Sequence, residues 1–427
     1  MTLYAPWSLR GLVADLASSV VTEDSVRERS RRRIARTEPE IAAWVAHAEG
    51  ADASDGTAPD GPLRGVPFGV KDIIDVAGHP TRLGSALHDA APPSPTDAAV
   101  VSAWRAAGAV PSGKTVTAEF AFFTPGPTRN PVRPTHTPGS SSSGSAAAVG
   151  AGQVPLAIGT QTGGSTTRPA SYCGVASLTM APGRIPSRGV YAMSPTLDSH
   201  GVFAASVSDL ALAWSALGGG EDVGATPPDA PRLLLWTGQS PGPVSPAMAD
   251  AVAHAAESLR RAGAVVDAAL PDALVADLVD AHGVVLHYEM GTACARELAI
   301  ADRLGPQWIR VRERSRATSS ADHEHALDRI AAAREALASA LSGYDAVIGP
   351  AATGAAPPGL TMTGDPAMSL PWQAVGMPAV AVPGLRDRSG LPLGLQVVAV
   401  DEGAALRAGV WAERHLTGTA RGPGMPQ

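Results

Sequence analysis

The residues best suited to covalent chemistry fall in two clusters, Gly139-Ser140-Ser141-Ser142-Ser143-Gly144-Ser145 and Gly163-Gly164-Ser165-Thr166-Thr167-Arg168-Pro169. Between them lies the small apolar run Ala146-Ala147-Ala148-Val149-Gly150. A surface loop has no need of such a run, and a packed core would not choose such flanks. A serine-glycine run reads in three ways: a flexible linker, a nest of backbone amides for an anion, or a loop that offers one hydroxyl to a base. The alanine run should be buried, which weighs against a linker. Gly163-Gly164-Ser165 favours the third reading. Two glycines let the backbone turn without interference from Cβ, so amides there can receive the negative oxygen of an acyl-transfer intermediate.

A serine hydroxyl is a poor nucleophile without a base. His200 lies near Asp198 and could complete a Ser-His-Asp set, but the chain has eleven histidines and a loop is expected at this one. Lysine is the other source. Only Lys71 and Lys114 are lysines among 33 basic residues. A chain that otherwise uses arginine keeps lysine by chance, for size, or where an amine must lose its proton, which a guanidinium does not do. Lys71 interrupts the short apolar, β-branched stretch 65–76, which reads as a buried strand. Burial there favours the neutral amine.

Lys114 lies in Gly108-Ala109-Val110-Pro111-Ser112-Gly113-Lys114-Thr115, which matches the phosphate-loop pattern letter for letter. That loop works only with a strand before its first glycine and a helix after its lysine. Here a helix is expected over 97–107, with Gly108 as its cap. A strand near 109–112 falls inside the would-be loop, and Pro111 has no amide hydrogen to give. No nucleotide site is expected.

The elements that must carry these residues read as α/β. The chain has 427 residues, 44% hydrophobic and 17% charged, enough for a large core. A net charge of -7 argues against a general nucleic-acid binder. Two cysteines exclude a disulfide framework and a cysteine-rich metal site. No apolar run is long enough to span a membrane, and no signal peptide is read at the N-terminus, so a cytoplasmic protein is expected. The first fifty residues read as helical, with Thr37-Glu38-Pro39-Glu40 as a capping box leading into Ile41, Trp44 and Val45. Residues 50–63 read as a loop. A strand at 232–236, a helix from Ser245-Pro246 to near Gly263 and a strand at 264–270 form a βαβ unit, which implies parallel pairing. Residues 272–343 read as mostly helical, with the basic run 310–316 on a solvated face or loop. Strands follow at 344–350, 379–383 and 393–400, then a helix at 402–416.

Together, several segments resemble the amidase signature enzymes over most of the chain. They are Gly69-Val70-Lys71-Asp72, the loop 139–145, the stretch 159–169 with Cys173-Gly174, Trp372-Gln373-Ala374-Val375-Gly376-Met377-Pro378-Ala379, and Leu391-Pro392-Leu393-Gly394-Leu395-Gln396. Gly113-Lys114-Thr115 ahead of Glu119-Phe120 also has its counterpart there. The resemblance implies one α/β/α domain over 1–427, with the helical N-terminal segment packed onto it. Its large, twisted, mostly parallel mixed sheet would be covered by helices on both faces.

The resemblance also implies a Ser–Ser–Lys triad: Ser165 as nucleophile, Lys71 as base, and Ser141, preceded by a cis peptide bond, as the bridge. Aligning Pro138-Gly139 selects Ser141; a slip of one residue would select Ser142. The oxyanion amides would come from Thr162, Gly163, Gly164 and Ser165. The sequence departs from the commonest pattern at several places. Ser140 and Ser143 replace glycines, Gln161 stands where an aspartate is common, Arg168 comes one position later than usual, and 178–182 lacks the usual Lys-Pro-Thr.

The implied activity is hydrolysis of a carboxylic amide, or of a urea- or carbamate-like bond, through an acyl-enzyme, with no metal or organic cofactor. The alternatives are an A-type subunit of a glutamyl-tRNA amidotransferase, or an acyltransferase or pathway deacylase using the same triad. The expected partner is a small-molecule amide, with no nucleic acid and no membrane; a homodimer is left open. Phe122, Phe123, Tyr172 and Trp372 are candidate pocket walls, with core packing the equal alternative. The segment 215–343 is expected to be trimmed relative to the family.

Overall fold

The stretch that carries Lys71 forms the strand Pro67–Lys71, buried along its whole length. A strand buried on both faces belongs inside a sheet covered by helices, and that is where it lies. The computed structural model describes residues 2–47, 60–226, 228–238, 242–268, 270 and 272–416. Among these, one sheet of 11 strands runs through the molecule. Its strands are β1 (Trp44–His47), β2 (Pro67–Lys71), β3 (Val110–Thr115), β4 (Leu156–Gln161), β5 (Ala176–Thr179), β6 (Ser199–Ala204), β7 (Arg232–Leu235), β8 (Val265–Asp267), β9 (Ala346–Pro350), β10 (Ala379–Arg386) and β11 (Pro392–Val398). Their order across the sheet is β1-β3-β2-β4-β6-β5-β10-β11-β9-β7-β8.

The sheet is mixed, as expected, but its balance is not mostly parallel. Parallel pairing is confined to β3-β2-β4 at one end and β9-β7-β8 at the other. The six remaining pairs are antiparallel. The reason lies in the connections, since parallel neighbours in sequence need a crossover. Helix α3 (Ala99–Ala106) supplies one between β2 and β3, and α7 (Pro246–Arg261) supplies one between β7 and β8. In contrast, β10 turns back into β11 through residues 387–391, closed by the amide of Asp387 donating to the carbonyl of Leu391.

The other helices are α1 (Leu9–Ala17), α2 (Glu23–Ile41), α4 (Ser143–Gly150), α5 (Thr167–Cys173), α6 (Val207–Ala216), α8 (Asp272–Ala293), α9 (Ala295–Ala299), α10 (Ala301–Leu304), α11 (Pro306–Ala317), α12 (Ser320–Ala340), α13 (Leu370–Ala374) and α14 (Glu402–Leu416). Strand alternation assigns them to two faces. Leu156, Ile158, Val202, Val380, Val382 and Val397 pack with residues of α6, α7 and α14. Their neighbours Ala157, Phe203 and Ala381 pack instead with α4 and α5. Leu234, Val347 and Val398 pack with α8, α12 and α13. The result is the expected three-layer α/β/α arrangement. No helix among the described residues is long and apolar enough to cross a membrane.

Two local expectations change. The segment Thr37-Glu38-Pro39-Glu40 does not start a helix. The helix α2 begins at Glu23, where the Thr22 hydroxyl accepts from the Ser25 amide at 3.2 Å, and it continues past Pro39. Thr37 turns its hydroxyl back to the Arg33 carbonyl at 2.8 Å, and left-handed Ala42 then redirects the chain into β1. His200 lies on β6 and not on a loop. The polar stretch 50–63 falls mostly outside the described residues. The basic run 310–316 lies on α11.

Candidate active site

Three elements bring the site together. The strand β2 ends at Lys71. The loop before α4 carries Ser140 to Ser142. The turn between β4 and α5 carries Thr162 to Ser165. The loop is seated by tight packing. Gly139 has a φ of +84°, and a Cβ there would come within 2.9 Å of the Pro169 backbone. Gly159 on β4 leaves room for the Ser142 hydroxyl, which would lie 2.5 Å from a Cβ. The small residues of α4 are buried throughout. A Cβ at Gly144 would lie 2.3 Å from the Ala43 carbonyl, so α4 rests directly on backbone.

Lys71 is fully buried. Its Nζ donates to the Ser141 Oγ at 2.7 Å and to the Thr160 Oγ1 at 2.8 Å. Burial lowers its pKa to about 7, opposed by the carboxylate of Asp198. The amine is thus poised near neutrality. Ser142 does not take this place: its hydroxyl donates to the Thr160 carbonyl at 3.2 Å. The peptide bond between Ser140 and Ser141 is cis.

Ser165 is half-buried and lines, together with Ser140, Ser141, Thr162, Gly163 and Gly164, a cavity of about 330 Å³. The two loops are joined where the Ser142 amide donates to the Ser165 carbonyl at 3.3 Å, and where Arg168 donates from Nη2 to the Ser140 carbonyl at 2.7 Å. Among the described residues, none accepts a hydrogen bond from the amides of Gly163, Gly164 or Ser165. Unpaired amides beside a hydroxyl are what a developing oxyanion requires.

The turn is braced from several sides. The side-chain oxygen of Gln161 accepts from the amides of Thr166 at 2.9 Å and Thr167 at 3.1 Å, while its Nε2 donates to Gln373 Oε1 at 3.0 Å. Thr162 donates from its hydroxyl to Asp198 Oδ1 at 2.6 Å. Its carbonyl accepts from His282 Nε2 at 2.7 Å. Burial pushes His282 down to about 4, so it is the neutral ring that makes this bond. Burial raises Asp198 to about 6, against the bonds from Thr162 and from the amides of Met193 and Ser194.

The remaining sequence candidates separate clearly. Phe122 and Phe123 line the cavity. Tyr172 and Trp372 do not. Tyr172 is buried on α5, and Trp372 packs edge-on against Trp236 at 5.2 Å in the core beneath α13. A Ser-His-Asp set is not assembled. His200 lines a separate small void behind β4, and Asp198 is engaged by Thr162. Lys114 forms a buried ion pair with Asp72 at 2.8 Å, on a strand and not in a phosphate loop. Thr160, His282 and Arg314 were not singled out from the sequence. Thr160 sits on a strand that was not expected. His282 and Arg314 belong to helices whose register onto the cavity leaves no local signature. Among the described residues, no cluster of three or more His, Cys, Asp or Glu is arranged to hold a metal ion.

The sequence pattern of the family described as Amidase matches residues 31–402. The A-type subunit of glutamyl-tRNA(Gln) amidotransferase from Anaeromyxobacter sp. (strain K) is 31% identical over 96% of this chain and 96% of the relative. The same-named protein of Treponema pallidum (strain Nichols) is 46% identical over 40% of this chain, a match that spans only about a third (34%) of that relative's length. AtzE of Pseudomonas sp. (strain ADP), named as a component of 1-carboxybiuret hydrolase, is 44% identical over 37% of this chain and 36% of the relative. Among solved structures, the peptide amidase PAM in complex with the competitive inhibitor chymostatin superposes with a TM-score of 0.80 at 28% identity, covering 98% of this chain and 99% of that one. The chain therefore belongs to the amidase family, of the amidase signature type.

Proposed function

We propose that the protein is an amidohydrolase that cleaves a carboxylic amide, or a urea- or carbamate-like C–N bond, through an acyl-enzyme on Ser165. The observation that carries this reading is the 2.7 Å contact between the fully buried Lys71 amine and the Ser141 hydroxyl, at a cavity that Ser165 also lines. Neutral Lys71 accepts a proton from Ser141 as Ser141 accepts one from Ser165. The Ser165 oxygen attacks the carbonyl carbon. The amides of Gly163, Gly164 and Ser165, with Thr162 at the start of the turn, bind the oxyanion. Ser141 then protonates the leaving nitrogen, and Lys71 returns a proton to Ser141. Water enters, gives its proton along the same relay and releases the acid.

The test is a panel of amides, ureas and esters assayed on the wild-type chain and on Ser165→Ala. Turnover falls at least 10³-fold, roughly the scale of losing a covalent nucleophile, with the circular dichroism spectrum unchanged. A Ser165→Ala protein that keeps more than about a tenth of the rate contradicts the assignment. A second reading, as the A-type component of an amidotransferase, is favoured by the near full-length 31% identity to the Anaeromyxobacter protein. It predicts that the isolated chain has little amidase activity until partner proteins are added.

A further inference from the structure

The basic run on α11 is not simply a solvated face. Arg312 pairs with Asp302 at 2.6 Å, whereas Arg314 lines the cavity that holds Ser165. Among the described residues, the Arg314 guanidinium has no hydrogen bond and no ion pair. Beside the turn at the same cavity lies a second guanidinium, that of Arg168, which is buried and also lacks an ion pair. Among the described residues, no aspartate or glutamate lines the cavity. A concave site with guanidinium groups and no carboxylate favours an anion.

The geometry gives the anion a place. Val279, His282, Gly283, Leu286 and His287 line the cavity at helical spacing along α8. His282 is tied to Thr162 and marks the reacting end. His287 lies five residues further along the helix, about 7.5 Å of axial rise, and its pKa is lowered by burial and by neighbouring Arg314. Its Nδ1 is engaged by the Gly283 carbonyl at 2.5 Å. With His282 neutral and the pKa of His287 lowered by burial, the guanidinium supplies the fixed charge at the outer end. Leu286 lies between the two histidines along α8, and Val279, Phe122 and Phe123 add apolar wall to the same cavity.

Resting on the amidohydrolase reading, we propose that the cavity selects an amide whose apolar spacer ends in a carboxylate, held by Arg314 at the outer end of α8. The carboxylate lies on either the acyl or the amine half, and matched probes distinguish the two. Glutaryl p-nitroanilide is compared with pentanoyl p-nitroanilide, and 4-acetamidobenzoate with acetanilide, on the wild type and on Arg314→Gln. In one pair the carboxylated member is favoured about tenfold in kcat/KM, mainly through KM, as a charge-assisted hydrogen bond provides. In Arg314→Gln that ratio falls towards one. Ratios near one in both wild-type pairs, or a ratio that survives Arg314→Gln, overturn the proposal. Binding is read separately from turnover with Ser165→Ala, where the favoured probe raises Tm more than its neutral partner does. A Tm preference without any acyl adduct on the wild type leaves the carboxylate subsite standing and overturns the hydrolase reading. Adducts without a preference do the reverse.

Discussion

At the scale of single residues, the two lysines divide two tasks that arginine does not combine. Lys71 sits in a dry pocket between two hydroxyls, with a pKa brought down to about 7. A base must be unprotonated, so kcat/KM rises with pH through about 7 and levels off above it. Asp198 is the charge that opposes this shift. Removing it in Asp198→Asn lowers the Lys71 pKa further, and the acid limb moves down by roughly one unit. A pH-rate profile measures both effects. An acid limb that stays put in Asp198→Asn shows that the carboxylate acts on Thr162 alone. Lys114 has the opposite role: it neutralises Asp72, both side chains being almost wholly buried. Lys114→Met leaves a buried carboxylate unpaired and costs about 3–5 kcal/mol, read from urea unfolding. A loss under about 1 kcal/mol contradicts a paired, charged state for the two.

At the scale of elements, the site depends on how closely its loops approach backbone. The helix α4 has no apolar stripe of its own; glycine, serine and alanine let it sink onto β4 and against the backbone of Ala43 and Val116, which flank β1 and β3. The amide of Gly144 donates to the Val116 carbonyl at 3.0 Å, and the Ser145 hydroxyl donates to the Ile158 carbonyl at 2.9 Å. Gly144→Ala drives a methyl against the Ala43 carbonyl and the Val116 amide, with an expected loss of about 1–3 kcal/mol by chemical denaturation. An unchanged midpoint contradicts the close packing. The burial of this run was readable in advance from its alanines between hydroxyl-rich flanks; that it forms a helix resting on backbone was not. The loop and turn around it were also readable, since glycine and serine in fixed order constrain the chain locally. What braces them was not. Asp198 and His282 reach the turn, and Gln373 reaches its brace Gln161, from segments far along the chain; Asp198 and Gln373 fall in stretches the sequence marked, but nothing local assigned them these contacts. Tyr172 and Trp372 show the converse: an aromatic near a motif reads equally well as wall or core, and packing decides.

At the scale of the whole molecule, periodicity and composition reveal an α/β fold but not the order of strands. The βαβ unit at 232–270 was visible because a capped helix separates two apolar runs, and β7 and β8 do pair in parallel. Extending that pattern to the entire sheet failed at β4, β5 and β6. They carry polar residues such as Thr160, Ser177 and His200, and pair antiparallel except where β4 meets β2. Their placement matters for function. Adjacent β2 and β4 hold Lys71 and Thr160 within 2.8 Å, although 89 positions separate them in the chain. The sheet thus turns a distant lysine into the partner of a local serine loop. The most direct test of that assembly is intact mass spectrometry of the protein quenched during turnover of an ester or anilide, with peptide mapping of the adduct. The account predicts one acyl group on Ser165, absent from Ser165→Ala and strongly reduced in Lys71→Met. An adduct on Ser141, Ser142 or Cys173, or full acylation of Lys71→Met, would contradict it.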